Sequence, residues 1–136
     1  MAQDIWKFME FITLGGRGVL SQWVDKEIEM EAEIEFHATL TVLAVTPRDL
    51  WTRPEYAPFD PQISEIRFFA NQLQHRVFGF FLTEVSQYVM LVGATKKGRI
   101  YNPREAIDTA RKRRNLIIAD RSQINEYTGH KPKSVS

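Results

Sequence analysis

Arginine and lysine side chains recur in and beside the apolar, strand-like segments in the second half of this chain. These cations are Arg67, Arg76, Lys96 and Lys97. A charged side chain within a strand must reach water, a carboxylate or a ligand, because an unpaired buried charge is costly. Four cations that converge on one groove would form a phosphate-binding surface. The alternative is an ion pair with Glu65 or Glu84, or a solvated sheet face.

Two residues near these cations are candidate general bases. His75 adjoins Arg76, and an imidazole titrates near neutral pH. Tyr101 is the second candidate. Because neighbouring residues of a strand point to opposite faces, His75 and Arg76 cannot both face one groove if the strand is regular.

The distribution of charge points to an anionic partner for the second half of the chain. The 136 residues contain 18 Lys+Arg and 17 Asp+Glu, a net charge of +1. Residues 1–60 contain 5 basic and 11 acidic residues, whereas residues 61–136 contain 13 and 6, so the halves carry −6 and +7. The net charge alone argues against a nucleic-acid ligand, but asymmetry between halves indicates an anionic partner for the basic one.

Other features of the composition predict a cytoplasmic protein of one domain. The chain has no cysteine, which excludes disulfides, thiolate metal sites and cysteine nucleophiles. Residues 1–12 contain Asp4 and Glu10 and do not resemble a signal peptide. No stretch reaches the ~18 apolar residues of a membrane-spanning helix.

The first half of the chain predicts a strand followed by helices. Residues 5–13 are rich in aromatic and β-branched residues and predict a strand. Gly15, Gly16 and Gly18 predict a turn, because the pattern lacks the Lys-Ser/Thr of a phosphate-binding loop. Residues 27–36 alternate strictly, as a strand does, but Glu, Met and Ala favour a helix. We therefore predict a helix over 27–45.

The second half predicts a sheet, a helix and a tail. Prolines mark a loop over 46–62, and three apolar runs with short polar breaks predict an antiparallel meander. These runs are 65–70, 75–82 and 88–95. Asn102 as N-cap, Pro103 and Glu105 predict the start of a helix. Residues 1–120 are expected to form the domain and 121–136 a polar, flexible tail, which includes Tyr127.

The stretches ISEIRFFANQLQHRVFGFF, YVMLVGATKKG and NPREAIDTARKRR resemble the RelE/ParE superfamily of bacterial toxins, most closely its HigB-like, phage-derived branch. The resemblance covers residues 40–115, and the first 40 residues match in plan only. It implies a small α/β (α+β) domain with a curved, mainly antiparallel sheet, two N-terminal helices and a C-terminal helix.

The resemblance also implies an activity. Relatives in the RelE and HigB branches cleave messenger RNA, usually on the ribosome, by attack of the RNA 2′-OH without a metal or cofactor. Arg67 and Arg76 match the family's sheet arginines, and we assign them to the scissile phosphate, with Arg76 a possible proton donor. Lys96 and Lys97 match the family's lysine pair, as charge stabilisers. Further cations are expected to bind RNA: Arg99, Arg104, Arg111, Lys112, Arg113 and Arg114.

The resemblance implies partners and leaves two alternatives open. The implied partners are messenger RNA, the ribosome and a cognate antitoxin of helix-turn-helix type that covers the basic groove. The ParE branch instead inhibits DNA gyrase by protein contact, without catalysis. A degenerate, phage-derived relative would act only as a binding or regulatory protein. Fold alone does not separate these activities.

Overall fold

The computed structural model describes residues 3–132, which contain seven strands and three α-helices. The strands are β1 (Lys7–Phe11), β2 (Tyr56–Pro58), β3 (Ser64–Ala70), β4 (Leu73–Leu82), β5 (Gln87–Lys97), β6 (Ile100–Asn102) and β7 (Ile124–Glu126). The helices are α1 (Val19–Lys26), α2 (Met30–Ala44) and α3 (Ala106–Ala119). The predicted α+β fold class is confirmed.

The strands form one mainly antiparallel sheet in the order β2-β3-β4-β5-β1-β7. Strands β3, β4 and β5 are the predicted meander. Strand β1 runs parallel to β5 along residues 87–90, and β6 pairs with the far end of β5, at residues 95–97. The long strand β5 therefore joins the meander to β1, and β1 in turn pairs with the C-terminal strand β7.

Each face of the sheet carries a separate hydrophobic core. Helices α1 and α2 contribute Trp23 and Phe36 to a core with Phe68 of β3. Helix α3 contributes Ala110 to a second core, on the face that carries Phe78.

Helix α2 explains the strict alternation from Met30 to Phe36, whereas residues 27–29, predicted as the start of this helix, form the break between α1 and α2. Two residues along a helix correspond to a rotation of about 200°, so alternate residues fall on opposite faces. Ala32 and Phe36 are accordingly buried at 1% and 0% exposure, whereas Met30 and Ile34 are 75% and 61% exposed. The glutamates between them line the sides of the helix. The alternation therefore describes a helix with two apolar faces.

The glycine-rich turn is followed by a helix whose N-terminus is already occupied. The carboxylate of Glu10 accepts hydrogen bonds from the backbone amides of Leu20 (2.9 Å) and Ser21 (2.8 Å) and from the Ser21 hydroxyl (2.6 Å). A Cβ on Gly18 would overlap this carboxylate. The turn thus leaves room for the Glu10 carboxylate to cap α1, and this carboxylate occupies the place at the helix N-terminus where a ligand anion would bind.

The predicted N-cap at Asn102 is wrong. Asn102 is the last residue of β6, and α3 begins at Ala106 after Glu105, with no side-chain capping hydrogen bond. Pairing of Ile100 with Lys97 continues the sheet through Asn102, so the backbone there is extended. The tertiary pairing overrides the local capping signal.

The predicted tail from residue 121 is also wrong as far as residue 132. Strand β7 pairs with β1, and Tyr127 is only 3% exposed. This segment joins the domain because it covers the outer edge of β1 and buries an aromatic ring. Residues 133–136 lie outside the described residues. Within residues 3–132, no helix has both the length and the apolar character that crossing a bilayer requires.

Candidate functional site

Arg67 and Arg76 lie directly opposite each other on neighbouring strands. The antiparallel register of β3 and β4 pairs Arg67 with Arg76 and Glu65 with Phe78. Directly opposed residues point to the same face, and so do residues two apart in one strand. Both guanidinium groups and the Glu65 carboxylate therefore share the face of Phe78, on which α3 packs farther along the strands.

Strands β5 and β6 add two more polar side chains to this face. Arg76 pairs with Ala94, and Lys96, two residues farther along β5, lies opposite Gln74 and Tyr101. The Lys96 ammonium lies 5.3 Å from the centre of the Tyr101 ring. The sheet thus assembles a polar group that we call the arginine cluster. It consists of Glu65, Arg67, Gln74, Arg76, Lys96 and Tyr101.

Glu65 forms an ion pair with each of the two arginines. Its Oε1 lies 3.3 Å from Nε of Arg67 and 3.7 Å from Nε of Arg76. Arg76 also donates hydrogen bonds to the His75 carbonyl (3.0 Å) and to Oε1 of Gln74 (2.5 Å). The Arg76 side chain is only 5% exposed, compared with 22% for Arg67. Arg67 is therefore the guanidinium that an incoming ligand meets first.

The cluster favours a protonated phenol on Tyr101. Burial raises the pKa of Tyr101 and Glu65 raises it further, against the opposing effects of Arg76 and Arg67. Burial also lowers the pKa of Arg76, with a further lowering from Arg67 and opposing effects of Glu65 and Tyr101, although an arginine stays charged at neutral pH. Tyr101 is thus better suited to donate a proton than to act as the expected base.

A cavity of about 420 Å³ borders the cluster at the edge of β3. Strand β2 pairs with β3 along residues 64–66, and the Arg67 amide donates to the Glu55 carbonyl at 2.8 Å, so no strand within residues 3–132 pairs with the edge of β3 beyond residue 67. Arg67 and Arg76 line the cavity together with Glu35 and Glu55. This opening gives a ligand a route to the guanidinium groups.

Two of the predicted site residues lie on the other face of the sheet. His75 stacks on Phe68 with ring centroids 4.7 Å apart, and it is 3% exposed. Lys97 follows Lys96 along β5, so its side chain points to the opposite face, and it pairs with Ile100. The structure therefore separates the proposed base His75 from Arg76, as regular strand geometry requires, and brings one lysine of the pair into the cluster.

Most of the basic run on α3 packs against the protein itself. Arg111 forms an ion pair with Asp60 at 2.6 Å. Arg113 donates to the Leu91 carbonyl at 2.7 Å, and Arg114 lies over the ring of Phe80 at 5.4 Å. The other three expected RNA-binding cations are exposed, and these are Arg99, Arg104 and Lys112.

Sequence reasoning treated Glu65 only as a possible ion-pair partner and did not consider Gln74. The spacing of Glu65 and Gln74 could have identified them as site residues. Each lies two residues from an arginine of its own strand and therefore points to the same face as that arginine. Among residues 3–132, no group of three or more His, Asp or Glu side chains is arranged to hold a metal ion.

Comparison with the models of known protein families, with curated proteins and with solved structures finds no match to this chain. The resemblance to RelE/ParE toxins therefore stays a hypothesis that rests on the motifs quoted above.

Proposed function

We propose that this chain is an endoribonuclease, the toxin of a toxin-antitoxin pair, that cleaves messenger RNA on the ribosome. The observation that carries the proposal is the register of the sheet. It places Arg67 opposite Arg76 and Lys96 opposite Tyr101 on the same face. Three cations and one carboxylate leave the cluster with a formal charge of +2, which favours a phosphodiester.

The cluster contains groups for two of the tasks of phosphodiester cleavage, charge stabilisation and proton donation. When the 2′-OH of RNA attacks the adjacent phosphate, it loses its proton, which would pass to water because both arginines hold the one carboxylate of the cluster. Negative charge builds up on the phosphoryl oxygens, and a proton must reach the leaving 5′-oxygen. Arg67 and Lys96 would stabilise the charge, and the phenol of Tyr101 would donate the proton. A cognate antitoxin would inhibit the enzyme by covering this face.

One observation favours a second candidate, a protein that inhibits its target by binding alone. Arg76 is buried and Glu65 occupies both guanidinium groups, so the arginines are partly neutralised without a ligand. A ParE-like inhibitor of DNA gyrase does not require a free arginine pair.

The two candidate functions differ in their targets, since an endoribonuclease cuts messenger RNA whereas a gyrase inhibitor causes DNA breaks. We expect expression of the chain to halt translation and to produce messages cut inside reading frames, mapped by primer extension. Arg67→Ala and Tyr101→Phe should each reduce cleavage about 100-fold, because charge stabilisation and proton donation each contribute at least that much. The Arg67 side chain is partly exposed, and Glu65 keeps its ion pair with Arg76 when Arg67 is removed, so its loss should leave the fold intact.

Arg121→Ala is the matched control. Arg121 pairs with Glu84 at 2.6 Å, at the β4–β5 turn and far along the strands from the arginine cluster, so its loss should not alter cleavage. Intact messages together with accumulating DNA breaks would refute the nuclease and support the gyrase-type inhibitor. Full cleavage by folded Arg67→Ala protein would remove the cluster from the site.

A further inference from the structure

The outward face of α2 carries apolar side chains that nothing in residues 3–132 covers. Met30, Ile34 and Val42 are 75%, 61% and 62% exposed, and the exposed Ala38 lies between the last two. Residues four apart stack along one side of a helix. These four residues, which we call the α2 outer stripe, form a continuous apolar line along the whole helix.

The stripe continues into a groove at the end of the helix. Leu50, which is 62% exposed, lies across this groove from Val42, and the groove has a volume of about 290 Å³. Glu35 and Glu55 also line it. An apolar floor between carboxylates is the kind of site that receives an apolar side chain of a partner with basic neighbours.

Acidic residues flank the stripe on both sides. Glu31 and Glu35 directly follow Met30 and Ile34 in the sequence and so lie along one edge of the stripe. Glu33 lies along the opposite edge of the stripe. The side chain of Glu33 is 44% exposed, with only a 3.9 Å contact to Nδ1 of His37. Any polypeptide seated on the stripe would face these carboxylates along both of its edges.

We propose that the α2 outer stripe binds a basic amphipathic helix of another protein. A helix that is apolar on two opposite faces is typical of a buried helix, and α2 buries only one of its faces here. Apolar residues at four-residue spacing are the anchors by which helices dock on each other, and the glutamates select Lys and Arg on the partner's flanks.

The charges argue against a second copy of this chain as the occupant. A twofold dimer across α2 would place the same glutamates of both copies against each other. The basic helix α3 is no better a partner, because Arg111 and Arg113 are held by Asp60 and by the Leu91 carbonyl. The stripe and the arginine cluster lie on different elements, but they are neighbours, since Glu35 and Glu55 line both the groove and the cavity beside the cluster. Binding of the helix requires no RNA cleavage, so the two proposals are tested separately.

The test uses the full chain and a synthetic helical peptide of about five turns, with leucines along one face and lysines on both flanks. We expect it to bind in a salt-sensitive way and to slow amide exchange in α2. A peptide of the same composition with scrambled order should bind about tenfold more weakly, because its leucines no longer align. A leucine–glutamate peptide should not bind.

Two pairs of variants separate docking from adsorption to an acidic protein. Ile34→Gln should weaken binding about tenfold, whereas Ile118→Gln, a control at a residue that is 52% exposed on α3, should not. The double variant Glu31→Lys/Glu35→Lys should no longer bind the leucine–lysine peptide and should bind the leucine–glutamate peptide. The double variant Glu105→Lys/Asp108→Lys makes the same change in net charge, but its binding of both peptides should stay as in the native chain.

Three results would overturn the proposal. Equal affinity for the aligned and scrambled peptides would show adsorption by charge alone. Unchanged binding by folded Ile34→Gln protein would place the peptide elsewhere. A concentration-dependent dimer, seen by sedimentation and abolished by Ile34→Gln, would show that a second copy occupies the stripe.

Discussion

Glu65 holds the two arginines of the cluster, and it therefore competes with any phosphate that approaches them. Its Oε1 contacts both guanidinium groups, while its buried Oε2 has no hydrogen-bond partner within residues 3–132. A ligand phosphate must displace this carboxylate or share the arginines with it. Under the proposed function, Glu65 would therefore set how strongly the cluster attracts RNA.

The substitution Glu65→Gln tests this competition. Glutamine keeps the shape of the side chain and an acceptor oxygen, but it raises the formal charge of the cluster from +2 to +3. We expect tighter binding of a single-stranded RNA oligonucleotide. Its dependence on salt should steepen, with the slope of log Kd against log salt rising by about 0.7 for one added phosphate contact.

Glu84→Gln is the matched control for that measurement. It makes the same change in net charge, and it also frees an arginine, Arg121, at the opposite end of the sheet. An equal gain in RNA affinity for both variants would show that net charge alone attracts RNA. Weaker binding by folded Glu65→Gln protein would show that Glu65 positions the arginines and does not compete with phosphate.

Among the elements, α1 depends on a carboxylate from a strand. Glu10 of β1 is 4% exposed and accepts three hydrogen bonds at the first turn of α1, where the helix dipole favours a negative charge. Gly18 has φ −73° and ψ 124°, a conformation that any residue adopts. It must be glycine only because a Cβ would overlap the Glu10 carboxylate.

This arrangement predicts a coupling between two substitutions. Glu10→Ala should lower the free energy of unfolding by roughly 2–4 kcal/mol, since it leaves buried amides without an acceptor. Gly18→Ala should be destabilising in the native chain but not in the Glu10→Ala background, where the space is empty. Urea unfolding of the four proteins of this cycle measures the coupling.

Additive effects in the same cycle would contradict this account. They would mean that Gly18 serves the flexibility of the turn and not the space for the carboxylate. Gly16 provides the comparison, because its φ is +81° and a Cβ there would meet no atom of residues 3–132 within 4 Å. Gly16→Ala should therefore be strained equally in both backgrounds.

The elements also show which parts of the fold the sequence predicts. The meander follows from runs of β-branched and aromatic residues, a local signal. The parallel pairing of β1 with β5 and the return of β7 to β1 join residues far apart in the chain, and no local pattern reveals them. The same holds for the site: strand alternation separates His75 from Arg76, but only the register shows that Arg67 faces Arg76.

Across the whole molecule, the division of charge between the two halves corresponds to two surfaces. The arginine cluster lies in the half with net charge +7, and α2 with its glutamates lies in the half with −6. Because electrostatic fields add over the whole surface, the acidic half weakens the long-range attraction of a polyanion to the cluster. The proposed recognition of RNA would therefore depend on the short-range contacts of the cluster.

All three histidines of the chain lie in packed surroundings. His75 stacks on Phe68. Nε2 of His37 lies 2.7 Å from the hydroxyl of Tyr127, and the ring of Tyr127 stacks with that of His130 at 6.4 Å. The His130 ring also lies 5.4 Å from that of Phe8. The contacts of His37 and His130 thus fasten the C-terminal segment to α2 and to β1.

Burial lowers the pKa of each of these histidines. It is the largest effect on His75, His37 and His130. For His37, Glu33 opposes the lowering; for His130, Lys131 and His37 reinforce it, while Asp4 and Glu126 oppose it. For His75, the Leu73 backbone opposes the lowering and Arg76 reinforces it.

These lowered pKa values predict that the protein loses stability in mild acid. In the unfolded chain a histidine titrates near pH 6.5, so below that pH the unfolded state binds more protons than the folded state. The free energy of unfolding should therefore be greatest above about pH 7 and should fall between about pH 6.5 and 5, by at most about 1.4 kcal/mol per pH unit for each histidine. Most carboxylates titrate below this window and contribute little within it.

Urea unfolding across this pH window measures how steeply the free energy of unfolding falls. The variant His75→Phe keeps a ring on Phe68 but has no titrating group, so it should reduce this slope. A free energy of unfolding that stays constant from pH 7 to 5 would mean that the histidines are protonated equally in both states.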